Sequence, residues 1–483
     1  MINMKINPIL RTDSYKASHF LQYPHGTDGY FGYIEARKPL KSVEPINETV
    51  FFGLQMFIKE YLLNSITKED IDEAEKFFAV HGEPFDRKGW EYILKKYNGY
   101  FPVTIRAAKE GSVIPEGNVL CTVECIDPKC FWIGSYLETS LLRAIWYPCT
   151  VATNSRECKK VIFKYMKLSS DNPEEGMSFK LHDFGSRGVS SGESAGIGGS
   201  AHLINFIGSD NIEGILYTNK YYNCNMAGFS IPAAEHSTIT SWGKDGELSA
   251  YENMLSQFGG KDKIFACVSD SYDIYKACEI FWGTYLKEQV IKSGGIIVIR
   301  PDSGDPSTVV TRCLHILDDK FGSTTNNKGY KVLNYVRIIQ GDGININTIK
   351  DISRMVTEHS FSLDNVNFGM GGALLQHLNR DTLRFAMKCS AIRVDGKWRD
   401  VSKSPVGDPM KASKAGRLSL YSYKVGHGTK INCVTYNEKQ IEEMTYGLKS
   451  MMTDLKDILE PVYSNGKILR DQNFDEVRKL ASL

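Results

Sequence analysis

Glu235 and His236 follow an apolar run that ends at Pro232, and Ser237, Thr238, Thr240 and Ser241 come after them. An imidazole titrates near neutrality, so beside a carboxylate on a turn it is a candidate reactive centre. In isolation such a histidine is more often a surface residue at a helix start. Other segments of the chain, however, share one form, an apolar strand running into Asp, Arg or Gly. Residues 179–181 run into His182, Asp183, Phe184, Gly185 and Arg187, and residues 264–268 into Ser269, Asp270 and Asp273. Residues 296–299 run into Arg300 and Asp302, 336–339 into Gly341 and Asp342, and 366–368 into Gly369, Gly371 and Gly372. Carboxylates so placed can hold ribose hydroxyls or a hydrated Mg2+, which takes oxygen ligands and substrate phosphates. Arg300 with Asp302 also fits a structural ion pair. The glycines at 369, 371 and 372 lead into a helix start, where backbone N–H groups can receive a phosphate, or they form a tight turn with no ligand. Phe184 lies in a loop dense in glycine and either stacks on a planar ring or packs on the core. Arg37, Arg380, Lys388, Lys403 and Lys411 are candidate anion contacts, although each taken singly reads as a solvated side chain.

Strand, polar loop and helix recur at roughly 30 to 40 residues, the rhythm of βα repeats. The strands do not alternate, which predicts a parallel sheet covered on both faces. In a (β/α) barrel the polar ends of such strands form the site, and an open doubly wound sheet is the structural alternative. Helices are predicted over 274–290 and 307–317, and a strand over 214–217. Thr67 with Asp70 forms a capping box that opens a helix through Phe78. Residues 101–125 alternate like strands. Leu137, Leu141, Leu142 and Ile145 make a helical stripe, and a second helix covers 154–166. Residues 397–417 suggest a hairpin or mobile loop, 418–434 strands, and 474–483 a helix. The fold class expected is α/β, with a barrel over 146–385 and a β-rich flanking domain built from 1–145 and 386–483.

The chain has 483 residues, 42% hydrophobic and 24% charged, with a net charge of +1. That composition is globular, and the near-zero charge argues against a general nucleic-acid or membrane-surface binder. Residues 1–10 lack the apolar core of a signal peptide, and no apolar run is long enough to span a bilayer. The eleven cysteines are scattered singly. Cys121, Cys125 and Cys130, with no histidine near them, read as core residues and not as zinc ligands, as in a reduced cytoplasmic protein.

Taken together, the motifs resemble the nicotinamide phosphoribosyltransferase family of type II phosphoribosyltransferases. The resemblance rests on Thr12-Asp13-Ser14-Tyr15-Lys16, residues 151–156, 180–185, 195–198, 232–245 and 268–275, Arg300-Pro301-Asp302-Ser303-Gly304, and residues 339–343 and 416–420. It implies an irregular α/β barrel with a flanking β-rich domain, and a homodimer with sites at the interface. The implied reaction joins nicotinamide to 5-phosphoribosyl 1-pyrophosphate with Mg2+, while ATP phosphorylates His236. The implied catalytic set is His236, Asp302, Arg300 and Asp273. Phe184 would stack on the pyridine ring, Tyr15 of the partner subunit would cover it, and Asp210 would accept from the carboxamide. Arg187 and Arg300 would line the cleft near substrate, and Ser269 would be a further substrate contact. Asp302, Gly341 and Asp342 would meet the ribose, and Gly371 and Gly372 the 5′-phosphate. Arg37, Arg380, Lys388, Lys403 and Lys411 would meet phosphate and pyrophosphate, and no residue is implied as a metal ligand. The family's animal members commonly have Tyr where this chain has Ser186, which leaves room beside Arg187. Nicotinate phosphoribosyltransferase is the alternative on the same fold, and Asp210 speaks against it. A fold kept without turnover is a third reading.

Overall fold

The computed structural model describes residues 7–37, 47–404, 412–425, 431–444 and 452–483. The chain forms two compact units, Val151–Lys220 with Cys224–Leu378, and Met1–Thr150 with Tyr221–Asn223 and Asn379–Ser482. The divisions fall a few residues from those the sequence suggests. Tyr221–Asn223 goes with the chain ends because Tyr222 is fully buried there. Its ring stacks on Phe52 at 5.0 Å and its hydroxyl donates to Glu110 at 2.5 Å.

The unit of residues 151–378 is built on six parallel strands: β1 (Leu181–Asp183), β2 (Gly208–Ser209), β3 (Ile264–Val268), β4 (Ile296–Arg300), β5 (Val336–Gln340) and β6 (Val366–Met370). Their spatial order is β2-β1-β6-β5-β4-β3, so β2 and β3 are the edges. Neither edge is left bare. Phe229 bridges to Gly208, and its carbonyl accepts from Ser209 N–H at 3.0 Å. Four residues on, Ala233 bridges to Ala266, and Ala234 N–H donates to the Ala266 carbonyl at 3.0 Å. Residues 229–234 thus join both edges through single bridges and complete an irregular barrel, covering the middle of β3 while Ile264 at its start stays exposed.

The strands are short and rich in Ile and Val, and Ile297, Val298, Ile299 and Ile338 are buried. Helices alternate with them. Pro306–Phe321 starts at Asp305, whose side chain accepts from Thr308 N–H, with Pro306 in the first turn, where its missing N–H costs nothing. Ile346–Glu358 opens with a capping box between Asn345 and Thr348. The helix expected over 274–290 divides into Ile274–Lys276, a π-helical stretch Ala277–Tyr285 and Lys287–Ser293. Residues 214–217, read as a strand, lie inside the helix Ile212–Tyr222. A four-residue apolar run carries no period that separates the two.

In the other unit both chain ends build one seven-stranded antiparallel sheet. Its order is Lys397–Asp400, Phe385–Val394, Thr27–Ala36, Val119–Cys125, Val103–Ala107, Glu460–Ser464 and Lys467–Ile468. Cys121, Cys125 and Cys130 are buried in its core, as expected. The helix Lys68–His81 starts at the Thr67–Asp70 capping box. One continuous helix, Glu138–Ser169, replaces the two expected, with Pro148 inside it. The polar stretch after 397 begins as a strand, and residues 405–411, Lys411 among them, lie outside the described residues. Strands Leu418–Val425 and Ile431–Asn437 follow, then the helix Phe474–Leu480. Among the described residues no helix is long and apolar enough to cross a membrane.

Candidate active site

Parallel strands deliver their C-terminal residues to one end of the sheet, and the titratable side chains meet there. Residues 229–234, having closed the ring, lead directly to His236, the first residue of the short helix His236–Thr240. His236 Nε2 lies 2.9 Å from Asp270 Oδ1, just past β3. Its Nδ1 lies 4.0 Å from Asp302 Oδ2, past β4, and Arg300 Nη2 is 3.5 Å from the same oxygen. The second oxygen of Asp270 accepts from Asp302 N–H at 3.0 Å and from the Ser303 hydroxyl at 2.7 Å. Asp270 is therefore held on both oxygens with its side chain 3% exposed, while the His236 ring is 45% exposed. A fixed, buried carboxylate beside an open imidazole sets both ring orientation and tautomer, as carboxylate–histidine pairs do elsewhere. Burial pushes the Asp302 carboxyl above its ordinary range; Arg300 and His236 oppose this, and Asp270 and Asp342 add to it.

Two residues named from sequence are placed otherwise. Asp273 is exposed and serves as a helix cap, its Oδ1 accepting from Tyr275 and Lys276 N–H at 3.0 Å. Ser269 is fully buried; its hydroxyl donates to the Cys267 carbonyl and accepts from Trp282 Nε1, each at 3.1 Å. Asp270 was legible only as one of several strand-end carboxylates.

Phe184 follows β1, and its backbone N–H donates to the Met370 carbonyl at 3.0 Å. Its ring lies over Gly369 and Gly341. A Cβ at Gly369 would sit 2.0 Å from the ring, and one at Gly341 3.4 Å away. The missing side chains at these glycines make room for the ring, and at Gly341 also for Asp302 Oδ1, 3.2 Å from a Cβ there; Ala266, Val298 and Ile339 pack nearby. Asp210, just past β2, is exposed, and Ser230, from the closing segment, hydrogen-bonds to its Oδ1. Arg187 is exposed, and the neighbouring Ser186 hydroxyl donates to Glu213 at 3.1 Å. Gly371 and Gly372 follow β6 and open the one-turn helix Gly372–Leu375.

The remaining cations belong to the other unit. Arg37 Nε donates to Glu35 at 2.9 Å, and Lys414 pairs with the other oxygen of Glu35. Lys388 lies opposite Tyr33 across the sheet. Burial lowers the pKa of its ammonium; Glu138 opposes this, and Arg37, Lys403 and Lys16 add to it. Arg37, Lys403 and Lys16 thus lie close enough to act on the charge of Lys388, with Glu138 among them and Arg37 itself paired with Glu35. Arg380 is exposed and lies 3.0 Å from Asp381, and its carbonyl accepts from Phe385 N–H at 3.0 Å. Tyr15 is 53% exposed.

The model of the "Nicotinate phosphoribosyltransferase (NAPRTase) family" matches residues 179–458, every strand of the barrel included. The chain belongs to this family. The "Nicotinamide phosphoribosyltransferase, N-terminal domain" matches residues 7–105. The nicotinamide phosphoribosyltransferase of Xanthomonas campestris pv. campestris is 50% identical over 98% of this chain and 97% of its own. In fold, this member of the family is similar to a nicotinate-nucleotide pyrophosphorylase from Pyrococcus furiosus, with a TM-score of 0.62 at 15% identity over 99% of this chain and 95% of that one. It is also similar to the human nicotinic acid phosphoribosyltransferase, with a TM-score of 0.60 at 15% identity over 97% and 92%. At that identity the likeness concerns architecture alone, and the expected α/β barrel with a β-rich companion is the architecture found.

Proposed function

We propose that this chain transfers the phosphoribosyl group of 5-phosphoribosyl 1-pyrophosphate to nicotinamide, giving nicotinamide mononucleotide and pyrophosphate in NAD salvage. The observation that carries the choice of base is the exposed Asp210 carboxylate, with Ser230 on Oδ1. Oδ2 is left to accept from a carboxamide N–H. Nicotinate offers no such donor and brings a like charge, so it is disfavoured twice. In the reaction the pyridine nitrogen forms the bond to C1 of the ribose as the C1–O bond to pyrophosphate breaks. Phe184 holds the pyridine flat, Arg187 and Arg300 meet negative charge, Asp302, Gly341 and Asp342 meet the ribose, and Gly371 and Gly372 offer N–H groups to the 5′-phosphate.

Among the described residues no three side chains converge to hold a metal ion unaided. Mg2+ suits such a set when substrate phosphate and water complete its shell, with Asp302 and Asp342 as the protein carboxylates. When bound it would offset charge on the departing pyrophosphate. ATP is the proposed phosphoryl donor to His236. With Asp270 accepting from Nε2–H, Nδ1 keeps its lone pair, forms the N–P bond to the γ-phosphorus, and ADP leaves with the bridging oxygen. We further assign a homodimer in which Tyr15 and some of Arg37, Arg380, Lys388, Lys403 and Lys411 serve the second copy, and a cytoplasmic location, in keeping with eleven free cysteines.

Incubation with 5-phosphoribosyl 1-pyrophosphate, Mg2+ and either base tests the reading. Nicotinamide mononucleotide is expected; product from nicotinate alone would overturn the assignment, and no product from either base would return the chain to binding only. Asp210→Asn should shift the ratio of kcat/KM values toward nicotinate by roughly tenfold or more, and an unmoved ratio would refute the account of selectivity. His236→Ala should abolish stimulation by ATP while the melting temperature changes by about 2 °C or less, because the ring is half exposed. Persistent stimulation would exclude the phosphohistidine.

A further inference from the structure

Phe184 and Asp210 come from different strands, yet the residues beside them are tied to one side chain. Asp183 is fully buried at the end of β1. Its Oδ1 accepts from Gly185 N–H at 2.7 Å, on the far side of Phe184. Its Oδ2 accepts from Asn211 Nδ2 at 2.9 Å, on the far side of Asp210. Its backbone carbonyl accepts from Asp210 N–H at 3.0 Å. Asn211, also fully buried, gives its other amide proton to the Ala195 carbonyl at 2.9 Å, and its Oδ1 accepts from Gly214 N–H at 3.2 Å. Every polar atom of the two side chains is thus used, and each bond ends on the aromatic turn, the Asp210 turn, or one of two helices, Gly192–His202 and Ile212–Tyr222.

A buried carboxylate is costly, and here burial pushes the Asp183 carboxyl up to about 6 against the two N–H donors. Replacing it alone by an apolar side chain would strand the Gly185 N–H and the buried Asn211 amide. What the carboxylate adds is two directed bonds, which fix the Phe184 turn relative to the Asp210 turn. Recognition of a flat primary amide needs that relation, since the ring plane and the amide acceptor must suit one ligand together.

We infer that Asp183, through Asn211, is a positioning residue that sets the spacing between the Phe184 ring and the Asp210 carboxylate, and with it the binding of a planar carboxamide. The inference rests on the proposed nicotinamide reaction and adds to it a residue that never touches the substrate.

The test uses the full chain carrying Asp183→Asn, Asn211→Asp, or both, with KM measured separately for nicotinamide and for 5-phosphoribosyl 1-pyrophosphate. Asn211→Asp sets two carboxylates face to face and should raise the nicotinamide KM roughly tenfold or more, with the KM of the sugar substrate within roughly twofold. Adding Asp183→Asn restores a donor facing an acceptor and should bring the nicotinamide KM back down by roughly tenfold, although the bond to Ala195 stays lost. A double variant no better than Asn211→Asp, an unchanged nicotinamide KM, or a parallel rise in both KM values would overturn the inference. If Asn211→Asp does not fold, Asn211→Ser, which removes the amide without adding charge, should raise the nicotinamide KM alone. Wild-type protein in the same assay separates the two claims: inactivity toward nicotinamide would defeat the proposed function, whereas an active wild type with indifferent variants defeats only the role of Asp183.

Discussion

A Gly369→Ala enzyme should lose about two orders of magnitude in kcat/KM for nicotinamide, most of it in KM. The added methyl carbon would stand 2.0 Å from Phe184 Cε2 and 2.2 Å from Cδ2. Carbon atoms settle at about 3.5–4.0 Å, so the ring must move by roughly 1.5 Å or turn on edge. Either movement removes the flat face that the pyridine requires. The backbone at Gly369 is ordinary strand, so the substitution introduces no torsional strain, and the overpacking should cost about 1–3 kcal/mol of stability. A calorimetric melt beside steady-state kinetics checks both parts. A Gly369→Ala protein that kept the wild-type KM for nicotinamide would show that Phe184 is not the stacking surface.

Asp270→Asn should be the most damaging single-atom change at the histidine, lowering ATP-stimulated turnover by about two to four orders of magnitude. The amide can no longer accept from Nε2–H while also receiving Asp302 N–H and the Ser303 hydroxyl, so the ring loses its orientation and its tautomer. Asp273→Ala removes the cap of the helix Ile274–Lys276 and should cost about 1 kcal/mol of stability, with a loss of turnover at least roughly tenfold smaller than that of Asp270→Asn. Turnover with and without ATP, measured for both variants beside thermal melts, separates a tether on the imidazole from a helix cap. The reverse ranking would restore Asp273 to the histidine.

Asp270 and Asp273 also mark where sequence reading stops. Both follow β3 within a few residues, and both are carboxylates in a polar loop. Which one turns toward His236 depends on the point at which the chain re-enters a helix, because the first free N–H groups claim the nearer oxygen. β3, β4, β5 and β6 were legible because buried parallel strands are apolar on both faces, and their ends showed where Asp302 and Asp342 would gather. β1 lies two residues past the apolar run at 179–181, and β2, only Gly208–Ser209, has no apolar run to show it. Ser269 carried the same strand-end signal, yet its hydroxyl is spent on Trp282, a partner thirteen residues away that no local pattern reveals. Residues 229–234 showed only the tail of an apolar run stopped by Pro232, with nothing to say that it would bridge two strands. They touch the sheet through single bridges, leave no periodic pattern, and take their meaning from edges distant in sequence.

That closing stretch ties two traits that selection could otherwise tune apart. Ser230, near its start, hydrogen-bonds to Asp210, the proposed selector of the base, and His236, just beyond its end, is the proposed phosphoryl acceptor. Its span is set by the gap between two strands, so a one-residue insertion or deletion would swing both groups out of register together. On the proposed function, substrate preference and energetic coupling would travel as a single cassette, and exchanging this stretch between relatives should transplant both characters or neither.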